Sequence, residues 1–232
     1  MTTFRERLRA LPVLPDGLEG WQVDDVAALP PDPHELFARW FEDAVARGAL
    51  APQAMTLSTA DAEGTVSART VILKDLDDAG WWFAGHATSP KAQDLQANPR
   101  AALTFLWRET GRQVRVAGAV TSRPDVGAAD FRARPDASRA TGLVGHQSEE
   151  LGSLAEHRAA WAAALEQVRA EPDLVAPTWT AWCLEPREVE FWGSGAGTGQ
   201  TRVRYRRAAD AGAPGAGAGS AQGGWQRALL WP

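Results

Sequence analysis

Between residues 54 and 121 the pattern changes from helical to strand-like in five short segments, most with apolar residues on every second position, and that succession most restricts what the chain can fold into. Met55–Thr59, Val66–Lys74, Trp81–Gly85, Ala101–Trp107 and Gln113–Thr121 each read as a strand, parted by turn material such as Asp61-Ala-Glu-Gly64 and Asp77-Asp-Ala-Gly80. In the fifth, Val114, Val116, Gly118 and Val120 share one face while Gln113 and Arg115 take the other. A parallel sheet would need a crossover helix between successive strands, and only one short helical stretch interrupts these five. An antiparallel barrel or sheet is therefore expected.

The flanks read differently. Residues 1–30 are proline-rich with isolated apolar positions, and form an arm. Asp32-Pro33-His34-Glu35 then starts a helix, with Asp32 as N-cap, Pro33 at the first helical position and Glu35 closing a capping box. Phe37, Trp40, Phe41, Ala44 and Val45 follow at helical spacing until Gly48. Later, Asp125–Arg134 reads as a short helix, and Ser153-Leu-Ala-Glu156 as the capping box of a longer one through Trp161, Leu165 and Val168. Strands return at Thr180–Leu184, Glu188–Trp192, Arg202–Arg207 and Trp225–Trp231. The Ala/Gly-rich tract 208–224 has no apolar anchor and reads as a disordered hairpin loop, which leaves 31–232 as one domain.

Composition narrows the chemistry. A single cysteine, Cys183, excludes an internal disulfide framework, and four histidines at 34, 86, 146 and 157 have no ligand spacing, so no metal site is expected. A net charge of −5 argues against a general nucleic-acid binder. No apolar run approaches the roughly 20 residues of a membrane span, and no signal peptide is apparent, so a cytoplasmic location is expected. Eleven tryptophans accompany one tyrosine, enough to fill a core and also to stack on a planar ligand.

Candidate site residues come from local patterns. Ser89-Pro90-Lys91 follows a strand and opens a helix that Pro99 stops; free N–H groups and the Lys91 charge make an anion site there, or simply a capped helix with a solvated lysine. Arg69 and Lys74 lie on one probable strand at an odd separation, so an unbroken strand puts them on opposite faces and only a bulge or strand end turns both to one ligand. Gln113, Gln147 and Ser148 carry groups suited to the edge of a planar heterocycle. Glu149-Glu150 reads as a solvated pair beside a helix start. The chain has no dinucleotide fingerprint, P-loop or nucleophile elbow.

In order, Ala54-Met-Thr-Leu-Ser-Thr59, Ser67-Ala-Arg-Thr-Val-Ile-Leu-Lys74, Ser89-Pro-Lys91, Asn98-Pro-Arg-Ala-Ala102, Gly111-Arg-Gln-Val114, Gln147-Ser148, Val189-Glu-Phe-Trp192 and Arg202-Val-Arg-Tyr-Arg-Arg207 resemble the pyridoxamine 5′-phosphate oxidase family. Trp107-Arg-Glu-Thr-Gly111 and His146-Gln-Ser-Glu-Glu-Leu151 resemble the phenazine-biosynthesis oxidases within it. The resemblance implies a mainly β, antiparallel, Greek-key-like split barrel with flanking helices, and a homodimer holding FMN between two subunits. It assigns Arg69, Thr70, Val71, Lys74, Ser89, Lys91, Gln113, Gln147, Ser148, Trp192 and Arg202 to the cofactor. Lys74, Asp130, Arg134, Ser138, Thr198 and Gln200 fall at substrate positions.

The departures from the family pattern lie at both ends of the site. Pro90 replaces an arginine, Ala84-Gly85 a Tyr-Thr pair, Asp130 a tyrosine that helps hold the substrate phosphate, and Thr198-Gly199-Gln200 an Arg-Leu-His that lies over the substrate ring. The resemblance implies an oxidase that passes a hydride to flavin N5 and electrons to dioxygen, giving hydrogen peroxide; no catalytic residue is assigned. Asp130 and residues 198–200 favour a reduced aromatic or other secondary metabolite as substrate. Lys74, Arg134 and Ser138 favour pyridoxine or pyridoxamine 5′-phosphate, while Ala84-Gly85 and Pro90 leave room for a flavin-binding protein without turnover.

Overall fold

The computed structural model describes residues 2–195, 199–208 and 224–232. Within them the helices are α1 Phe4–Arg9, α2 Pro33–Ala46, α3 Pro90–Ala97, α4 Pro124–Ala133, α5 Asp136–Val144 and α6 Leu154–Ala170. The strands are β1 Ala54–Ala60, β2 Val66–Ile72, β3 Asp75–Asp77, β4 Gly80–His86, β5 Arg100–Trp107, β6 Arg112–Arg123, β7 Trp179–Gly195, β8 Gly199–Arg207 and β9 Trp225–Leu229. They are hydrogen-bonded in the order β2-β1-β5-β6-β7-β4-β3, with β8 beside β7 and β9 beside β8. The pairs β3–β4, β4–β7, β7–β8 and β8–β9 are antiparallel, and for β3–β4 and β7–β8 the short connections require it.

The five expected strands appear with their ends shifted by one or two residues. One difference is larger: Thr180–Leu184 and Glu188–Trp192 are two parts of the single strand β7. Its first part pairs with β4 as far as Leu184, opposite Trp81, and its second pairs with β8 from Glu188, opposite Arg206. Pro186, which has no N–H to donate, falls in the gap between those two registers, where proline is tolerated in a strand. Beside it, Gly118 of β6 approaches so closely that a Cβ there would sit 1.9 Å from the Glu185 carbonyl oxygen.

Helix starts follow the local chemistry in part, and neither of the two expected capping boxes is complete. Asp32 accepts from the His34 N–H at 2.8 Å, and Ser153 from the Glu156 N–H at 3.1 Å. Glu35 does not close a box but pairs with Arg39. Ser89 occupies the N-cap position of α3 without a side-chain cap bond. The arm contains α1 and a short 3₁₀ turn, Val26–Ala28, neither of which was expected. The Ala/Gly-rich tract lies outside the described residues apart from its ends, where the Ala208 N–H donates to the Gly224 carbonyl at 3.2 Å.

Contacts gather the chain into two compact units. The first comprises Met1–Ala54, Thr104–Val116 and Arg187–Pro232. Its core is aromatic: Phe37 meets Phe105 edge-on at 4.9 Å, Trp40 meets Trp21 at 4.7 Å and Phe191 at 5.2 Å, and Phe191 meets Tyr205 at 5.5 Å. Polar tips find partners, Tyr205 Oη on the Pro30 carbonyl at 2.9 Å and Trp107 Nε1 on the Pro52 carbonyl at 2.9 Å.

The second unit comprises Met55–Leu103 and Ala117–Pro186. Met55, Leu57, Trp81, Phe83, Leu103, Phe131 and Leu184 are buried in it, each contributing roughly 1.5–3 kcal/mol by leaving water. Buried Arg139 on α5 donates through Nη2 to the Pro172 carbonyl at 2.6 Å and the Leu174 carbonyl at 2.9 Å, tying α5 to the segment after α6. Among the described residues no helix is long and apolar enough to cross a membrane, and no group of three or more His, Cys, Asp or Glu could hold a metal ion.

Candidate functional site

A pocket of about 720 Å³ opens in the second unit. One wall begins where β2 stops. The strand ends at Ile72, and the Lys74 N–H donates to the Trp82 carbonyl at 2.8 Å, so Lys74 lies beyond the alternation of the strand. Val71, Ile72 and Lys74 all line the pocket. Arg69 remains on the strand and donates to Thr59 Oγ1 at 2.7 Å and the Leu57 carbonyl at 3.2 Å, with Asp94 at 3.8 Å.

The end of β4 and the start of α3 add a buried cation. Lys91 is only 6% exposed. Its Nζ donates to Ser89 Oγ at 3.0 Å and to Gln147 Oε1 at 3.2 Å, while Ser89 Oγ itself donates to the His86 carbonyl. Ser89 therefore holds Lys91 instead of capping the helix. Gly85 makes room for it, since a Cβ there would stand 3.0 Å from Lys91 Nζ. Burial, and then the Arg69 charge, lower the Lys91 pKa to about 8. Among the described residues no carboxylate lies within ion-pair distance of Lys91, so its desolvation is uncompensated within the chain, a state that an anion relieves.

Gln147 reaches Lys91 from a tight loop. Its neighbours His146 and Ser148 both have left-handed backbone, with φ of 55° and 73°. Such conformations are unfavourable for residues other than glycine and concentrate at ligand sites. His146, Glu149 and Glu150 from this loop line the pocket, as do Glu156 and His157 of α6. His146 Nδ1 lies 2.8 Å from Glu149.

Trp179, at the start of β7, gathers the remaining groups. Its ring lies 4.2 Å from the Arg134 guanidinium and meets buried His86 edge-on at 5.1 Å. Its Nε1 donates to Asp130 Oδ2 at 3.0 Å, and Asp130 Oδ1 lies 3.3 Å from Lys74 Nζ. Burial, followed by the Lys91 and Arg134 charges, lowers the His86 pKa, favouring neutral imidazole. The thiol of buried Cys183 is pushed up to about 11, mainly by burial, which keeps it from acting as a thiolate.

Of the residues singled out from sequence, Val71, Lys74, Lys91, Arg134 and Gln147 line this pocket. Ser89 and Asp130 act on its walls, through Lys91 in one case and through Lys74 and Trp179 in the other. Thr70, Ser138 and Ser148 are not among the lining residues. Sequence reasoning missed His86, Gly142 and Trp179 as site residues; the excess of tryptophan was the one signal that pointed toward the last.

The other candidates lie in the first unit. Trp192 Nε1 donates to Gln200 Oε1 across the β7–β8 pair. Arg202 places Nε and Nη2 on Glu190 Oε1 at 3.0 and 2.8 Å, and Arg115 Nη1 stands 3.5 Å from Glu190 Oε2. Glu190 is only 7% exposed, so this carboxylate sets the direction of the Arg202 guanidinium. Gln113 is half-buried on β6. Thr198 lies outside the described residues.

Buried cations flanked by hydroxyl and amide groups suit a phosphate ester, so the donor set around Lys91 fits the mononucleotide that the sequence resemblance implies. Comparison with known proteins agrees. A family model described as pyridoxamine 5′-phosphate oxidase matches residues 41–193, and one described as pyridoxine 5′-phosphate oxidase C-terminal dimerisation region matches residues 179–232. The pyridoxine/pyridoxamine 5′-phosphate oxidase of Anaeromyxobacter dehalogenans (strain 2CP-C) is 44% identical over 170 residues, 71% of this chain and 84% of that protein. Its namesake in Rhodopseudomonas palustris (strain BisA53) is 40% identical over 166 residues, covering 69% and 76%. Among solved structures, PhzG from Burkholderia lata 383, in complex with tetrahydrophenazine-1-carboxylic acid, matches with a TM-score of 0.81 at 28% identity, covering 93% of this chain and 100% of that one. A pyridoxamine 5′-phosphate oxidase-related, FMN binding protein from Nostoc punctiforme shares the fold, with a TM-score of 0.68 at 19% identity and coverage of 88% and 99%.

Proposed function

This chain belongs to the pyridoxamine 5′-phosphate oxidase family of antiparallel split-barrel oxidoreductases, and we propose from that premise that it is an FMN-dependent oxidase of a reduced aromatic or related secondary metabolite. The observation that carries the flavin assignment is Lys91, a buried ammonium with no carboxylate partner among the described residues. Lys91 and Ser89 would hold the FMN phosphate and Arg69 would add its field from β2, while Gln147 is fixed alongside by its bond to Lys91. FMN bound there would supply the redox chemistry, the two-electron oxidation by hydride transfer of a dihydro-substrate with dioxygen as the final acceptor, which balances as oxidised substrate and H₂O₂. The chain's part is to orient the substrate and exclude water; no general base is assigned. Gln113, Trp192 and Arg202 remain cofactor residues by resemblance, in a homodimer that the match to a dimerisation region supports.

The curated relatives are named for pyridoxine and pyridoxamine 5′-phosphate, and PhzG was solved with a reduced tricyclic acid. Asp130 favours the second kind of substrate, because it occupies Lys74, one of the two cations at the substrate end. Arg134 supports the alternative, since among the described residues it has no ion-pair partner and is open to a phosphate.

Anaerobic mixing of the FMN-loaded protein with candidate substrates tests this. Bleaching of the flavin by a dihydro-aromatic compound and not by pyridoxamine 5′-phosphate is expected. Bleaching by the phosphate alone would move the assignment to the pyridoxine reading, and bleaching by neither, with weak FMN retention, to a flavin binder without turnover.

A further inference from the structure

His86, the last residue of β4, lines the pocket between two sets of charged groups. Its carbonyl accepts from the Ser89 hydroxyl at 2.7 Å and from the Ser89 N–H at 3.1 Å, and Ser89 Oγ in turn receives Lys91 at 3.0 Å. Its imidazole is only 6% exposed and reaches the segment before β7. There Nδ1 lies 2.8 Å from Thr178 Oγ1, and the ring meets the edge of Trp179, on which Arg134 lies.

A hydroxyl both donates and accepts. Thr178 can therefore donate to Nδ1 of a neutral ring and accept from Nδ1–H of a protonated one, by a turn of the hydroxyl alone. The Gly142 backbone on α5 offers a further hydrogen bond that favours the charged ring. Partners for an imidazolium are thus already in place. Burial opposes it, followed by two cations, Lys91 of α3 and Arg134 at the end of α4. Lys74, His146, Glu149, Glu150, Glu156 and His157 line the same pocket, but Lys91 and Arg134 are the charges that bear on His86. A phosphate on Lys91 cancels the larger of those two repulsions.

We infer that His86 is the proton partner of the cofactor phosphate, neutral while Lys91 stands uncompensated and protonated at Nδ1 once an anion neutralises that lysine. The proton comes from solvent, and by linkage each event strengthens the other. His86 acts through Lys91 and Thr178 and is a positioning residue. The inference rests on Lys91 being the FMN-phosphate site, and it deepens that reading by adding a proton to what the site binds.

NMR titration of the full chain labelled in histidine reads this directly, since the chain holds only four histidines. Without FMN one imidazole should titrate below the others, and saturation with FMN should move that midpoint upward; inorganic phosphate should move it the same way. His86→Asn should remove that signal. Calorimetry in two buffers of different ionisation enthalpy gives a second readout between about pH 6 and 7. In that range Lys91, with a pKa of about 8, holds its proton with or without the anion. The ionisation of FMN itself is common to both proteins. The unaltered protein should take up more protons on binding FMN than His86→Asn. Its FMN affinity should also gain about threefold to tenfold more than the variant's as the pH is lowered through that range. A variant that binds FMN more weakly by the same factor at every pH would show His86 to be a packing residue and would overturn the inference. Should His86→Asn not fold, the unaltered protein still decides: no histidine titrating low, or a low midpoint unmoved by FMN, ends it. Failure to bind FMN sinks the flavin reading instead. Inorganic phosphate then tests His86 by itself, an upward move sustaining the inference and an unmoved midpoint ending it.

Discussion

At the scale of single residues, Lys91 governs how the pocket responds to pH. Its folded pKa of about 8 lies below the usual 10.5, so below pH 8 both the folded and the unfolded chain carry the proton. Between about 8 and 10.5 the unfolded chain keeps a proton that the folded chain has lost, and apo-protein stability rises with pH through that window. Affinity for an anion runs the other way, because the phosphate partner is the charged form. FMN affinity, followed by the fluorescence of released flavin, should fall as pH is raised through 8, and Lys91→Met should remove most of that dependence. At neutral pH the same variant should weaken FMN by roughly 10- to 100-fold, the value of one or two charge-assisted hydrogen bonds. The helix start at Ser89 and Pro90, with Lys91 beside it, was legible in sequence, because proline after serine marks a helix start and the lysine follows at once. Its working was not legible. Ser89 turned out to grip Lys91 rather than the helix backbone, and the bare Cα of Gly85 that admits the lysine is a matter of space across the strand, which no local pattern records.

At the scale of elements, period-two alternation located β1, β5 and β6 because each has one buried face, whereas β2, with no buried residue, and β4, buried on both faces, were marked out by the turn residues around them. Continuity through Pro186 escaped it: β7 survives its proline by exchanging partners there, from β4 to β8, and partner exchange is a nonlocal fact. Helix α5 was hidden for a different reason. Pro135 ends α4 and serves as the N-cap residue of α5, so a single breaker separates two helices that composition alone runs into loop. Lys74 shows the functional cost of such limits. Its odd spacing from Arg69 left two faces open, and the strand's stop at Ile72 is what brings it to the pocket wall. The close crossing of β6 and β7 is open to test. Gly118→Ala puts a methyl group 1.9 Å from a carbonyl oxygen that cannot move without breaking the strand, so a loss of stability of at least about 2–3 kcal/mol is expected in urea unfolding. A change of a few tenths would mean that β7 yields more readily than a paired strand should.

For the whole molecule, the question is what covers β2. This strand ends the hydrogen-bonded order of the sheet, and Val66, Ala68, Thr70 and Ile72 along one of its faces are all exposed, Val66 at 70% and Ile72 at 41%. An apolar edge strand left open invites pairing with another chain, and proteins ordinarily blunt it with charge or cover it. Here no charged residue stands on that face. The match of residues 179–232 to a dimerisation region suggests a homodimer, and although that region does not include β2, a second copy of this chain is the occupant proposed for this face. Sequence resemblance had already pointed to a dimer, whereas the exposed face itself was unreadable, since an alternating strand looks the same whether its outer face meets water or a partner. Introducing charge at two positions of that face away from the pocket, Val66→Lys with Ala68→Lys, should leave the fold intact, because both side chains are exposed and neither lines the pocket. Sedimentation should then shift the protein from two subunits toward one, and FMN should be lost in step, since the flavin is proposed to sit where the copies meet. A double variant that still sediments as a dimer with full flavin content would place the interface elsewhere on the chain, and the exposed face of β2 would need another partner.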